Sequence, residues 1–311
     1  MQLTPDLART LAAVVDEGSL DAAARRLHVT PSAVSQRIKA LEEQVGRVLL
    51  VRSKPVRPTD AAHAVIRYAR QLDLLEHDAL AALGAEAALV TVPLAVNADS
   101  LATWFLAPLA ELAAHHPVLF DLHRDDQDFT AALLESGTVM GAVTSRAEAV
   151  AGCRVVPLGT MRYEAVATPA FVARWLSGVA APTEGAPHAA APASRATPAF
   201  LASLAAAPRV DFDRRDDLQR QWLTRVGVDG DGPRHYVPAS HDFALAILQG
   251  LGWGLLPGFQ SHEALAAGRL VRVGGPPVDV PLSWQQWNLR SELLDAVAEA
   301  IVRHGRAVLA V

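Results

Sequence analysis

Two short helical segments separated by three residues constrain this chain more than any other feature of its 311 residues. Thr4-Pro5 and Thr30-Pro31 each put a helix-capping hydroxyl before a proline, whose missing N–H costs nothing in a first helical turn. Leu3, Leu7, Leu11 and Val14 or Val15 then recur at helical spacing and predict a first helix ending near Gly18. Ser19 caps a short alanine-rich helix from Leu20 to Leu27, and His28-Val29-Thr30 form the turn. A third helix runs from Pro31 to Val45 and stops at Gly46, the residue type suited to a left-handed C-terminal position. This is the pattern of a helix-turn-helix.

On the third helix Val34, Ile38, Leu41 and Val45 repeat at spacings of four, three and four, an apolar stripe that faces the first two helices. Ser32, Ser35, Gln36 and Lys39 make up the opposite face. It is a small donor-rich surface fit to enter a major groove, with Gln36 reading a base edge and Arg37 beside it holding phosphate. The segment from Leu49 to Arg57 reads as strand, turn and strand, a wing whose Arg52, Lys54 and Arg57 reach the DNA backbone. Charge agrees once it is divided along the chain: residues 25–57 carry eight basic against two acidic residues, a net +6, whereas the rest carries 20 against 31, a net −11. Charge alone would also fit a solvated basic face; the absence of a carboxylate before Glu42 on the donor face favours DNA. That only two of the 28 basic residues are lysines reflects base composition rather than function.

Thr59-Asp60 caps a further helical pattern expected to run to about Ala88, with Ala62, Val65, Ala69, Leu72, Leu75, Ala79 and Leu83 on one face. A projecting helix with one apolar stripe and no core of its own predicts pairing with a second copy. Beyond Leu89, short apolar runs alternate with amphipathic stretches. Strands are predicted at Leu89–Val96, Val118–His123, Gly141–Thr144, Tyr163–Ala167, Arg209–Phe212, His235–Val237, Gly254–Leu256 and Leu270–Val273. Helices are predicted at Ala102–Ala114, Leu218–Val226 and Phe243–Gln249, so the body is α/β. The lone Cys153 cannot form an internal disulfide or a cysteine zinc site. With no apolar run near membrane-spanning length and no basic-then-apolar leader, a soluble cytoplasmic protein without membrane contact is expected.

The run Ser19-Leu20-Asp21-Ala22-Ala23-Ala24-Arg25-Arg26-Leu27, continued by Pro31-Ser32-Ala33-Val34-Ser35-Gln36-Arg37-Ile38-Lys39-Ala40-Leu41-Glu42, closely resembles the winged helix-turn-helix of LysR-type transcriptional regulators. Leu49-Leu50-Val51-Arg52, Asn97-Ala98-Asp99-Ser100-Leu101-Ala102-Thr103-Trp104 and Gly141-Ala142-Val143-Thr144 resemble its lysine- and arginine-responsive LysG/ArgP branch. The resemblance therefore covers nearly the whole chain. It implies a winged helix-turn-helix at residues 1–58, a linker and dimerisation helix at 59–88 and an effector-binding domain at 89–311. Within that domain it implies two subdomains similar to periplasmic binding proteins, about 89–163 with 267–311, and about 164–266. It further implies a homodimer or homotetramer on double-stranded DNA, contact with RNA polymerase, and activation of a gene exporting basic amino acids. Two departures stand out. Residues 177–197 form an Ala/Pro-rich insertion with Pro182, Pro187, Pro192 and Pro198 around it, read as a flexible surface loop. The glycine usual after the wing is absent around Asp60-Ala61-Ala62.

Ligands of α/β bodies gather where strands end and helices begin, because free N–H groups there attract anions. Asn97 to Thr103, Thr144-Ser145 and Ser240-His241-Asp242 are such junctions. Ser100, Thr103 and Thr144 are assigned to an amino acid's carboxylate, although capping alone would account for each hydroxyl equally well; Asn97 and Ser240 stand beside them. Asp125 and Asp126 are assigned to its cationic end, with Asp128 read as a helix cap and Asp242 a weaker candidate. The effector is then lysine, arginine or histidine.

An α/β small-molecule-binding enzyme with an accessory DNA-binding module is the competing class, and a LysR-type regulator of a different effector is another reading. No nucleophile elbow, phosphate loop or metalloprotease motif is present, so no enzyme, cofactor or metal is expected. Gly250, Gly252 and Gly254 precede a strand rather than follow one, His115-His116 point to different faces, and Asp229-Gly230-Asp231-Gly232 reads as a turn. A nucleoid-type binder would leave the α/β body without a purpose.

Overall fold

The computed structural model describes residues 3–51, 53–84, 89–124, 130–146, 148–176, 197–230 and 232–310. The chain forms two compact units, one of Met1–Asn97, Leu106–Pro157 and Ser283–Gly305, the other of Ala98–Phe105, Leu158–Leu282 and Arg306–Val311.

The first unit begins with α1 (Pro5–Glu17), α2 (Leu20–Arg26) and α3 (Pro31–Val45), then the wing strands β1 (Leu50–Val51) and β2 (Arg57–Pro58), paired antiparallel. The Ser19 and Thr30 hydroxyls accept from the N–H groups of Ala22 and Ala33, while Gly18 and Gly46 end their helices at φ 68° and 69°. Thr4 differs from expectation: it makes no side-chain cap, and its hydroxyl instead accepts from Gln44 Nε2 at 3.1 Å, tying α1 to α3. Val34, Ile38 and Leu41 are buried with Leu11, Val14, Ala23 and Leu49 in one core, as their spacing requires.

The linker helix α4 (Asp60–Ala82) corrects the expectation twice. It ends at Ala82, with Leu83 as its C-cap and Gly84 at φ 69°; residues 85–88 lie outside the described residues. It also has a core of its own over its first half, since Ala62, Val65, Ile66 and Ala69 are buried in the core just described. Its exposed large apolar side chains, Leu75, Leu80 and the C-cap Leu83, lie toward its end.

The rest of this unit is a sheet in the order β11-β5-β3-β4, built from β3 (Val90–Val96), β4 (Val118–Arg124), β5 (Gly141–Thr144) and the end of β11 (Val278–Trp287). β3 runs parallel to both neighbours, with Val90 opposite Val118 and Leu94 opposite Gly141; β11 is antiparallel to β5. Helices α6 (Leu106–Ala113), α7 (Thr130–Glu135) and α13 (Glu292–Val308) complete it. An added Cβ at Gly141 would meet the Trp284 indole at 2.4 Å, so this register admits only glycine there.

The second unit contains α5 (Ala98–Thr103), the end of β6 (Cys153–Ala167), α8 (Pro169–Trp175), α9 (Pro198–Ala206) and β7 (Arg209–Asp211). It continues with α10 (Leu218–Val226), β8 (Arg234–Tyr236), α11 (Ser240–Leu248), β9 (Gly254–Pro257), α12 (Gly258–Ala266) and β10 (Val271–Arg272). β6 pairs antiparallel with β9 and β10, and β7 lies parallel to β8. Trp222 and Trp253 pack with ring centroids 5.1 Å apart, and Gly275 lies against Trp222.

Several expectations shift. Ala102–Ala114 is two helices, α5 and α6, interrupted at Trp104-Phe105, which bury their rings instead of continuing the helix. Tyr163–Ala167 is the end of a strand that starts at Cys153, and β11 and α13 are additional elements. The chain passes from one unit to the other at Asn97/Ala98, Phe105/Leu106 and Gly305/Arg306, and at Pro157/Leu158 and Leu282/Ser283, inside the long strands β6 and β11. Pro198 opens α9 behind a Thr197 hydroxyl cap, so it belongs to a helix and not to the insertion; residues 177–196 lie outside the described residues. No helix among the described residues is long and apolar enough to cross a membrane.

Candidate functional site

α3 presents Ser32, Ser35, Gln36 and Lys39 to solvent, while Val34, Ile38 and Leu41 hold its other face in the core. The N-terminal half of the polar face thus stands on a rigid floor, which fixes where Gln36 can reach. Lys39 lies 3.8 Å from Glu43, an exposed i,i+4 pair that gives way readily to phosphate. Arg37 is half-buried and its guanidinium donates to the Thr10 hydroxyl at 3.4 Å, so it leans back on α1 with part of its donor set engaged. Lys54 and Arg57 are exposed at the wing. Arg52 lies outside the described residues. The surface offers exposed donors and cations with no hydrophobic cover, the chemistry of a nucleic-acid interface.

A second constellation is built within the second unit around Asp99, in the first turn of α5. Its Oδ1 accepts from the Ser240 hydroxyl at 2.6 Å and its Oδ2 from the Tyr163 phenol at 2.7 Å. Gln260 of α12 donates Nε2 to Ser240 Oγ at 3.0 Å, and its buried Oε1 has no hydrogen-bond partner among the described residues. Burial and the neighbouring Asp99 charge hold the Tyr163 hydroxyl well above the usual phenol range, so it remains a donor. Asp216, in the loop before α10, accepts from the Leu218 N–H at 3.1 Å. Burial pushes its carboxyl up to about 6, with the charges of Asp211 and Asp99 adding to the rise. Asp211 is compensated by Arg209 at 2.9 Å and Arg234 at 3.7 Å. Among the described residues, neither Asp99 nor Asp216 forms an ion pair with a basic side chain.

The other expected residues distribute as follows. Ser240 joins the Asp99 cluster, and Ser100, fully buried, is its neighbour on α5. Thr103 donates back to the Asp99 carbonyl at 2.6 Å, the local bond of a helical threonine. Asp242 is exposed in the first turn of α11. Asn97 and Thr144 are buried in the first unit, and Thr144 Oγ1 accepts from the Arg146 N–H at 3.1 Å. Asp125, Asp126 and Asp128 lie outside the described residues. Asp99, Tyr163, Asp216 and Gln260 were not among the expected site residues; Asp99 sits inside the motif Asn97–Trp104, but its partners lie 64 and 141 residues away. No group of three or more potential metal ligands occurs among the described residues. Burial pushes the Cys153 thiol up to about 11, so it is no nucleophile at neutral pH.

The matching family is the bacterial regulatory helix-turn-helix protein, lysR family, over residues 5–63. A lysine export transcriptional regulatory protein LysG of Corynebacterium glutamicum is 38% identical over 296 residues, 94% of this chain and 94% of that protein. The crystal structure of ArgP from Mycobacterium tuberculosis superposes with a TM-score of 0.81 at 43% identity, covering 99% of each chain. Full-length LysG from Corynebacterium glutamicum with bound effector Arg superposes with a TM-score of 0.72 at 37% identity, covering 99% of this chain and 100% of that one. The winged module, matched to this family, and relatives that are transcriptional regulators over nearly the whole chain define a DNA-binding transcriptional regulator. The chain belongs to the LysR family, with LysG and ArgP proteins as its relatives.

Proposed function

We propose that this protein is a transcription factor that senses a basic amino acid, lysine, arginine or histidine, and activates a gene exporting it. The observation that carries the reading is the pair Asp99 and Asp216, two carboxylates in one unit without a basic partner among the described residues, beside the orphan acceptor Gln260 Oε1. A half-buried negative charge left without a basic partner favours a ligand with a cationic, donor-rich end. Ser100, Thr103 and Thr144, with Asn97, are proposed for the ligand's carboxylate, Asp125 and Asp126 for further cation contact, and Asp242 for a weaker one. The arginine-bound LysG structure supports the ligand class, and the lysine export regulator supports the target.

The proposed division of labour is DNA reading by residues 1–58, pairing of copies through 59–88 and sensing by 89–311, in a cytoplasmic dimer or tetramer that engages RNA polymerase. Ser32, Ser35, Gln36, Arg37, Lys39, Arg52, Lys54 and Arg57 are the proposed DNA contacts. Ligand binding shifts the balance between two states of the body, by no more than its differential affinity for them. Calorimetric titration of the full-length protein with lysine, arginine, histidine and leucine tests the sensor: saturable heats are expected for the basic ligands alone. Equal binding of leucine, or none by any of the four, would send the effector assignment to another metabolite.

A further inference from the structure

Arg70 sits on α4 with 7% of its surface exposed, an unusual place for a guanidinium. Its partners explain it. Nη2 donates to Asp16 Oδ1 at 2.5 Å, near the end of α1, and Nη1 donates to the carbonyl of Gly137 at 2.8 Å, in the turn between α7 and β5. One side chain therefore joins three parts of the first unit: the DNA-reading module, the linker helix and the α/β body.

The surroundings reinforce this joint on both sides. One turn earlier on α4, Arg67 donates to the Glu135 carbonyl at 3.3 Å, and a Cβ added to Gly137 would fall 2.9 Å from the Arg67 Cβ. The turn is thus seated directly on the helix, at a residue whose φ of 75° only glycine adopts freely. On the module's side Asp16 also accepts from Arg26 of α2 at 3.4 Å. Arg9 of α1 bonds Asp73 at 2.6 Å and Glu76 on the next turn of α4. The seated turn leads through β5 to Thr144, one of the residues proposed above for the ligand.

We propose that Arg70 is the positioning residue that couples the state of the body to the orientation of the helix-turn-helix. The planar fork serves both acceptors at once, so a displacement of the Glu135–Gly137 turn draws on the same group that fixes the end of α1. A displaced turn leaves the Asp16 bond without its geometry, and α1 shifts against α4. Its regulatory meaning rests on the sensor reading, but the mechanical link does not.

The test is a double-mutant cycle between Asp16→Asn and Gly137→Ala in the full-length protein, read as affinity for a DNA fragment selected from a random pool by the unmodified protein. With Arg70 present, the two changes are expected to be non-additive by about five-fold or more. With Arg70→Met, the non-additivity is expected to vanish, and Arg70→Lys, which serves one acceptor at a time, is expected to restore part of it. Melting curves of each variant confirm that the comparison is among folded proteins, and the lysine variant carries the test if the methionine variant does not fold. Additive effects with Arg70 in place overturn the proposal. Arginine is then added to the unmodified protein on the same DNA. If its DNA complex ignores arginine while the cycle remains non-additive, the sensor reading falls and the joint stands; the reverse pattern removes the joint and keeps the sensor.

Discussion

The winged module and the Asp99 cluster handle charge in opposite ways. In the module the cations are exposed and the floor beneath them is apolar: Lys54 and Arg57 stand in water, and Leu11, Val34 and Leu41 are fully buried. In the second unit the charge is negative and half-buried, held by hydrogen bonds from Ser240 and Tyr163 but not neutralised by a basic residue among those described. A polyanion that is itself hydrated is met by a hydrated surface, through counterion release, and a small cation is met by half-buried carboxylates that have lost part of their water. Binding to the first should therefore be governed by salt and binding to the second by protonation.

The largest expected effect separates floor from face. Leu41→Ala should cost about 2–5 kcal/mol of stability in denaturant unfolding, whereas Ser32→Ala on the opposite face should leave the midpoint unchanged. Equal losses would mean that the polar face is itself structural. Next, Gln36→Ala should remove about 1–3 kcal/mol of discrimination between selected and scrambled DNA. Arg57→Ala should weaken both sequences alike and lower the salt slope by about one. Binding assays across a salt series that gave the two variants the same signature would erase the distinction between base reading and backbone contact.

The protonation arm has a definite sign. Because the Asp216 carboxyl is raised to about 6, it binds a proton in the folded protein that the unfolded chain has released. Folding stability from this group is therefore greatest below about pH 4 and falls as pH rises toward 6. Affinity for a cation runs the other way: arginine should bind roughly ten-fold more tightly at pH 7 than at pH 5, and Asp216→Asn should flatten the profile. Its charged neighbours Asp211 and Asp99 stay within the same unit in both measurements. A flat profile in the unmodified protein would remove Asp216 from the site. The smallest expected effect is local: Ser19→Ala, which deletes the cap on Ala22, should cost about 1 kcal/mol of stability without altering ligand binding.

The same contrast explains how much could be read from sequence. The module is made of short-range signals, so Ser19, Thr30-Pro31, Gly18 and Gly46 mark their helix ends where the structure has them. The Thr-Pro signal recurs at Thr168-Pro169 and Thr197-Pro198, where the two hydroxyls cap α8 and α9; at Thr197 it is hidden at the end of an alanine- and proline-rich stretch. β11 is obscured for another reason. Gln285 and Gln286 are buried in it, and buried polar residues imitate an exposed segment when read alone. Gln285 is accommodated by a bond from Val150 N–H and by donating to the carbonyls of Arg146 and Glu148, all more than a hundred residues away. The Asp99 cluster is the extreme case: an aspartate at a helix start looks like a dipole-complementing residue until Tyr163, Ser240 and Asp216 are brought beside it. Likewise α4 has an apolar stripe along its length, and only the packing of α1 shows that its first half is already covered.

The most direct measurement is arginine affinity in Asp99→Asn compared with the unmodified protein, with DNA affinity and melting temperature taken on the same samples. The account predicts that arginine binding weakens by about 2–4 kcal/mol while DNA affinity without ligand stays within a factor of about two and the fold persists. Undiminished arginine binding in a folded Asp99→Asn protein would contradict it.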